Sequence, residues 1–220
     1  MKTFVIHYSK LTDRKQSILS QFALHGIKNY EFVENYNKEE LTDSDYNRFE
    51  TNMKPSGISV SLKNFWVFDE IAAKYEHALI FEDDVILSPG FSGKLDMYVR
   101  ELPPDWDMLF IGDGCNFHIP KNSLIPFRYI YKKGTEPTLW GGMGATRCVD
   151  SYLVSKKAAL ALSEYIRNIR SKITVPIDWL INTIARDCSM NVYWAEPTIV
   201  TQGTEGGLFE SSHDKGFVPI

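Results

Sequence analysis

Three adjacent carboxylates, Glu82-Asp83-Asp84, follow directly on the apolar run Ala78-Leu79-Ile80-Phe81. Neighbouring acids repel one another and desolvate poorly, so a fold places them where a cation neutralises them. Hard oxygen ligands in a small group suit Mg²⁺ or Mn²⁺, which keep several waters and bind phosphates at the same time. The position adds to that reading, because in α/β sheets ligands gather outside the carboxyl ends of strands. A solvated acidic turn is the plain alternative, since three-residue motifs often arise by chance.

The elements that would hold such a turn recur along the chain. Short apolar runs alternate with amphipathic segments, the pattern of an α/β domain. A first strand is expected over Thr3–Tyr8, then a helix from Thr12 with Ile18, Leu19, Phe22 and Ala23 on one face and Gly26 as its stop. Residues 29–33 read as a second strand, and Asn35 to Pro55 as a polar loop with room for one short helix. From Ser59 to Tyr75 the spacing of Val60, Val67, Phe68, Ile71 and Tyr75 predicts a helix. Leu62, Phe65, Trp66, Ala72 and Ala73 make much of its remaining surface apolar, so it should be covered on more than one side. Further strands are expected at Met108–Gly112 and Tyr152–Val154. Helices are expected from Lys156 and from near Pro176, the second with Ile177, Leu180, Ile181 and Ile184 inward. The stretch from Gly112 to Arg147 is irregular, and loops of such length are usually functional. The glycine-rich tail, 203–220, reads as a lid over a site or a fraying end.

Composition narrows the class. At 220 residues the chain fits one domain, 1–220, able to bury its own core. Its net charge of −4 marks no basic surface overall for nucleic acid or an anionic membrane. No apolar run reaches the roughly 18 residues of a membrane span, and Met1-Lys2-Thr3 lacks the apolar core of a signal peptide. Three scattered cysteines, Cys115, Cys148 and Cys188, suit a reducing compartment, so a cytoplasmic location is expected.

Two other acidic-strand chemistries fit poorly. A haloacid-dehalogenase-type phosphatase needs a nucleophilic Asp where Glu82 stands, and a response-regulator receiver is shorter with its acids on different strands. The sequence instead resembles glycosyltransferase family 25, which includes bacterial lipooligosaccharide and collagen galactosyltransferases and related domains of large DNA viruses. Val5-Ile6-His7-Tyr8-Ser9 followed by Asp13-Arg14 is similar to its first strand and helix start. Gly57, Ser61 and Trp66 follow its helix spacing, and Ala78 to Asp84 its acidic strand end. Trp106-Asp107-Met108-Leu109-Phe110-Ile111-Gly112, then Pro176-Ile177-Asp178-Trp179, then Pro197 and Gln202 come in the family's order. Leu62 stands where the family usually has His, Ser59-Val60 replaces a Cys-containing run, and Asp113 to Thr146 matches nothing in it.

The resemblance implies a GT-A type fold, a mixed, mostly parallel sheet flanked by helices with a nucleotide-sugar site at its strand ends. It implies a metal-dependent, inverting transferase that uses a UDP-sugar and Mn²⁺ or Mg²⁺, with a glycan or glycoprotein acceptor and no nucleic-acid partner. Glu82-Asp83-Asp84 takes the place of the family's Asp-x-Asp motif, with Asp84 on the metal, Glu82 on the ribose or a metal-bound water, and His213 as the further ligand, backed by Asp214. The nucleotide is expected near His7, Tyr8, Ser9 and Arg14, with Ser61 reaching the donor. Asp178 is the first candidate for the base, ahead of Asp150 and Asp113. Trp140 with Gly141-Gly142 is the candidate acceptor platform, while Phe117, Phe127, Tyr129 and Tyr131 read as residues that pin the long loop. A non-catalytic nucleotide-sugar or glycan-binding domain of the same fold is the alternative.

Overall fold

The computed structural model describes residues 1–114, 116–134 and 146–210. The first half runs β1 (Lys2–Ile6), α1 (Thr12–His25), β2 (Tyr30–Val33), α2 (Asp43–Asn47), α3 (Pro55–Lys74), β3 (His77–Glu82), β4 (Val85–Leu87) and α4 (Phe91–Glu101). The second runs β5 (Met108–Phe110), a 3-10 turn (Lys121–Ser123), β6 (Ile130–Lys132), β7 (Ser151–Ser155), α5 (Lys156–Asn168), α6 (Ile177–Asp187), β8 (Val192–Ala195) and β9 (Val200–Gln202).

Among the described residues the main sheet has the order β2-β1-β3-β7-β5-β8-β6, and β4 and β9 form a separate antiparallel ribbon. β1 is parallel to β2 and β3, and β5 to β8, while β7 and β6 run the other way. The carboxyl ends of β1, β3, β5 and β8 therefore share one edge with the starts of β7 and β6. The period of two along each strand sorts side chains between two layers. Phe4, Ile6, Ala78 and Ile80 face α3, α5 and α6, whereas Val5, Leu79 and Phe81 face α1 and α4. Each fully buried Phe or Ile among them contributes about 1.5–3 kcal/mol by leaving water.

α3 is the helix expected to be covered on several sides, and it is: Ile58, Leu62, Phe65, Val67, Phe68 and Ile71 are buried. It begins at Pro55 rather than Ser59, because proline fits the first helical position, where no amide bond is lost. Gly26 ends α1 in the left-handed conformation, at φ 69°. The inward face of α1 is Arg14, Ile18 and Phe22, with Ala23 exposed. β1 stops at Ile6, so His7 and Tyr8 lie beyond the strand on the edge where the acids gather.

Candidate active site

The acidic turn sits between β3 and β4, and each of its three carboxylates has a different environment. Asp83 is buried and fully engaged. Arg14 Nη1 donates to its Oδ1 at 2.8 Å, while His7 Nδ1 and the Tyr8 amide reach its Oδ2 at 2.8 and 3.2 Å. Burial pushes this carboxyl up, but the bonds and charges of His7 and Arg14 outweigh burial and hold it below the usual range. His7 Nε2 makes no hydrogen bond and lies 3.8 Å from Glu34 Oε1.

Asp84 is also buried. Its Oδ2 accepts from the Thr204 hydroxyl and lies 3.9 Å from Arg14 Nη1, and its backbone carbonyl accepts the Gly203 amide at 2.7 Å. Its Oδ1 has no hydrogen-bond partner. Arg14 Nη2 also reaches Thr204 Oγ1 at 3.3 Å and the Glu210 carbonyl, and its guanidinium lies 5.4 Å from the Phe209 ring centroid. Residues 203–210 are thus fastened to the acidic turn through β9, Thr204 and Arg14. A side chain at Gly203 would collide with Phe209 and the Asp84 carbonyl, at 2.8 and 2.9 Å from its Cβ.

Glu82 accepts from Gln202 Nε2 at 3.3 Å. Burial raises its carboxyl well above the normal range, and the charges of Asp84, Asp150, Asp83 and Asp178 raise it further. Asp150 stands at the start of β7, wholly buried, and its carbonyl accepts the Glu82 amide at 2.8 Å. Its Oδ2 takes the Ser151 hydroxyl at 3.0 Å and its Oδ1 takes nothing. Burial, opposed by Ser151 and aided by the charges of Asp113 and Asp84, lifts it to about 8. Asp113 carries a third buried carboxylate oxygen without a partner, and burial raises its carboxyl too. The packing admits only glycine at 112, since a Cβ there would fall 1.8 Å from Asp150 Oδ2.

Asp178 lies in the first turn of α6 and lines a small cavity with Lys133, Thr146 and Trp194. Tyr8 donates to Glu39, and Ser9 Oγ accepts from Asn37 Nδ2 at 2.9 Å, so both stand beside the 34–40 loop. Ser61 Oγ donates to the Gly57 carbonyl one turn back in α3, at 2.8 Å. His213, Asp214 and Trp140-Gly141-Gly142 lie outside the described residues. Among those described, no three His, Cys, Asp or Glu side chains stand close enough to hold a metal by themselves.

Sequence reasoning missed Thr204, whose role depends on a partner 190 residues away, and Lys63. Lys63 is buried, donates to the His7 carbonyl and reaches Asn37 Oδ1 at 3.0 Å. Burial lowers its ammonium to about 8 against the opposing charges of Asp83, Glu40 and Glu34. A lysine within a helix expected to be covered on more than one side was the signal that could have found it. The Arg147–Glu196 pair was missed as well. Both residues are buried, with Arg147 Nη1 on the Ala195 carbonyl at 2.7 Å and its guanidinium 4.7 Å from the Trp194 ring centroid. Of the loop aromatics, Phe117 packs edge-on against Trp194, Tyr129 stacks on Tyr98 and Tyr131 is buried, whereas Phe127 is exposed.

The fold is shared with known proteins. The galactosyltransferase LgtC, solved with donor and acceptor sugar analogues, superposes with a TM-score of 0.51 at 11% identity, over 92% of this chain and 86% of that one. An active-site mutant of LgtC gives a TM-score of 0.51 at 10% identity, with the same coverage. At such identity the likeness establishes the fold, that of a GT-A glycosyltransferase. “Putative glycosyltransferase R655” of Acanthamoeba polyphaga mimivirus is 27% identical over 150 residues, which are 63% of this chain and 44% of that one. The match spans less than half of that relative's length. The profile of glycosyltransferase family 25 (LPS biosynthesis protein) matches residues 1–181, and the chain belongs to that family.

Proposed function

We propose that the chain transfers a hexose from a UDP-sugar to a hydroxyl of a glycan or glycoprotein, with inversion, and that Mn²⁺ or Mg²⁺ takes part. The observation that carries this is the set of buried, unpartnered carboxylate oxygens on Asp84, Asp113 and Asp150 at one sheet edge. Leaving such oxygens unpaired costs several kcal/mol unless a cation or proton answers them. Such an ion binds one or two carboxylates and completes its shell with water and substrate phosphates. Asp84 and Glu82 would hold it, with His213 as a further ligand. When bound, the ion would stabilise charge on the departing diphosphate as a Lewis acid.

The chain's own residues divide the remaining work. Tyr8 and Ser9 offer the nucleotide a rim beside the 34–40 loop. His7 and Arg14 act from behind, holding Asp83 ionised so that the turn keeps its shape. Asp178 takes the acceptor proton, while Asp150, more deeply buried, backs the acidic turn.

Calorimetric titration with UDP- and GDP-sugars, with and without Mn²⁺, tests the reading. Metal-dependent binding of one donor is expected, abolished in Asp84→Ala. Asp178→Asn should keep donor affinity and lose turnover. Metal-dependent donor binding without turnover on any acceptor would favour a non-catalytic binding domain.

A further inference from the structure

Residues 121–128, Lys-Asn-Ser-Leu-Ile-Pro-Phe-Arg, are all exposed and form a tip that leads into β6. The tip is braced. The buried Tyr131 hydroxyl accepts the Ile125 amide at 2.9 Å and donates to the Arg128 carbonyl at 3.1 Å. Ile125 to Arg128 form a turn closed by the Arg128 amide on the Ile125 carbonyl at 3.1 Å, with Pro126 second and Phe127 third. Phe127 has φ 65°, a conformation that this turn position normally reserves for glycine because a Cβ crowds the backbone. Its ring is nevertheless 93% exposed, so almost no contact within the fold offsets that strain. Leu124 and Ile125 beside it are 38% and 51% exposed. Bulky apolar side chains held out on a braced turn mark a surface made for something outside the chain.

Charge identifies its class. Between Asp113 and Glu136 the sequence has Lys121, Arg128, Lys132 and Lys133 and no acid, a local departure from the net −4 of the chain. Lys121 and Arg128 bracket the apolar residues and are exposed, Arg128 lying 5.2 Å from the Tyr131 ring centroid and donating from Nε to the Ile130 carbonyl at 3.0 Å. Lys132 turns instead to Asn191 Oδ1 at 2.7 Å, and Lys133 is partly buried. The acid at the base of the tip, Glu101, already accepts the amides of Tyr129 and Ile130.

We propose that this tip docks the protein on an anionic lipid surface. Leu124, Ile125 and Phe127 enter the headgroup boundary, and Lys121 and Arg128 meet lipid phosphates. Ile130, at the start of β6, pairs with Ala195 at the end of β8, so the tip lies on the same sheet edge as the acidic turn. Four strand spacings, about 20 Å, separate the two. Docked in this way, the edge that carries the acids faces the lipid. Among the described residues no helix is long and apolar enough to cross a membrane.

Co-sedimentation with vesicles of phosphatidylcholine containing about one third phosphatidylglycerol, against phosphatidylcholine alone, tests this at low and high salt. Binding to the anionic vesicles is expected, weakened by salt and roughly tenfold weaker in Phe127→Gly. Because glycine suits that backbone, Phe127→Gly should melt no lower than the wild type, which separates lost docking from lost folding. Lys121→Glu with Arg128→Glu should remove the preference for anionic lipid. Wild-type protein that ignores both vesicles, or Phe127→Gly that binds like wild type, overturns the proposal. So does a concentration-dependent dimer that Phe127→Gly dissociates while vesicle binding is absent, which would make a second copy the occupant.

Discussion

Removing the Thr204 hydroxyl while keeping the side-chain shape, by Thr204→Val, isolates one bond in the candidate site. That hydroxyl donates to Asp84 Oδ2 and accepts from Arg14 Nη2, so the substitution leaves a buried carboxylate and a buried guanidinium each short of a partner. A hydrogen bond to a charged group contributes about 1.5–3 kcal/mol. Thr204 is only half-buried, so water recovers part of that, and a net loss of about 1–2 kcal/mol is expected. For a chain of this size the melting temperature should fall by about 2–8 °C. The second effect is the informative one. With Oδ2 released, the Asp84 carboxylate can rotate, and Oδ1 is no longer held toward the site. Loss of such an outer partner lowers metal affinity about 10–100-fold. Calorimetric titration with Mn²⁺ reads this directly and needs no acceptor, and Thr204→Ser should restore the wild-type value. Mn²⁺ affinity within about twofold of wild type in Thr204→Val would refute the positioning role, even if the melting temperature fell. Wild-type protein that takes up no Mn²⁺ would instead sink the metal reading itself.

Other perturbations have defined outcomes. Lys63 has its folded pKa lowered to about 8, so between that value and the unfolded one the unfolded chain binds more protons. Stability should therefore rise with pH across roughly 8 to 10.5, by on the order of 2–3 kcal/mol, and the rise should flatten in Lys63→Met when denaturant melts are compared pH by pH. Gly112→Ala should destabilise by at least about 2 kcal/mol because its Cβ meets Asp150, whereas Gly93→Ala, open on the exposed side of α4, should be neutral or stabilise by up to about 1 kcal/mol. Equal effects of the two in thermal melts would contradict the packing described. Arg147→Met takes the guanidinium from the buried Glu196, which keeps the Ile119 amide at 2.9 Å and His118 Nδ1 at 3.3 Å, and should cost up to about 3–5 kcal/mol by the same assay; a loss below about 1 kcal/mol would mean that water reaches the pair.

The parts of the fold legible in the sequence are those long enough to show a period. α3 declared itself through the repeating apolar positions from Ser59 to Tyr75, though not through its first turn at Pro55, and α5 and α6 through clean stripes. β4, β6 and β9 have three residues each, too few for alternation to register, and β8 is buried throughout. α4 escaped although Phe91, Leu95 and Tyr98 lie on one face, because Gly93 interrupts its first turn. At the site, residue type located the acidic turn but not its division of labour. Which neighbour turns toward Arg14 and His7 and which toward the open edge depends on how the chain leaves β3, and no spacing rule reports that. Arg14 itself read as a helix-start residue at the nucleotide, whereas its buried guanidinium gathers Asp83, Thr204 and the Glu210 carbonyl.

The strand order has a consequence for how the protein comes into being. Among the described residues β6 finds its sheet neighbour in β8, some sixty residues downstream, and β4 finds its own in β9. As the chain emerges from the ribosome, β1, β2 and β3 can associate early, while β4 and β6 wait as open edges of the kind that invite misassembly. Gln202 and Thr204, which touch Glu82 and Asp84, follow them by 120 residues. The acidic turn is therefore synthesised 120 residues before the side chains that hold its shape, so a nascent chain halted before residue 200 would carry the motif without those partners.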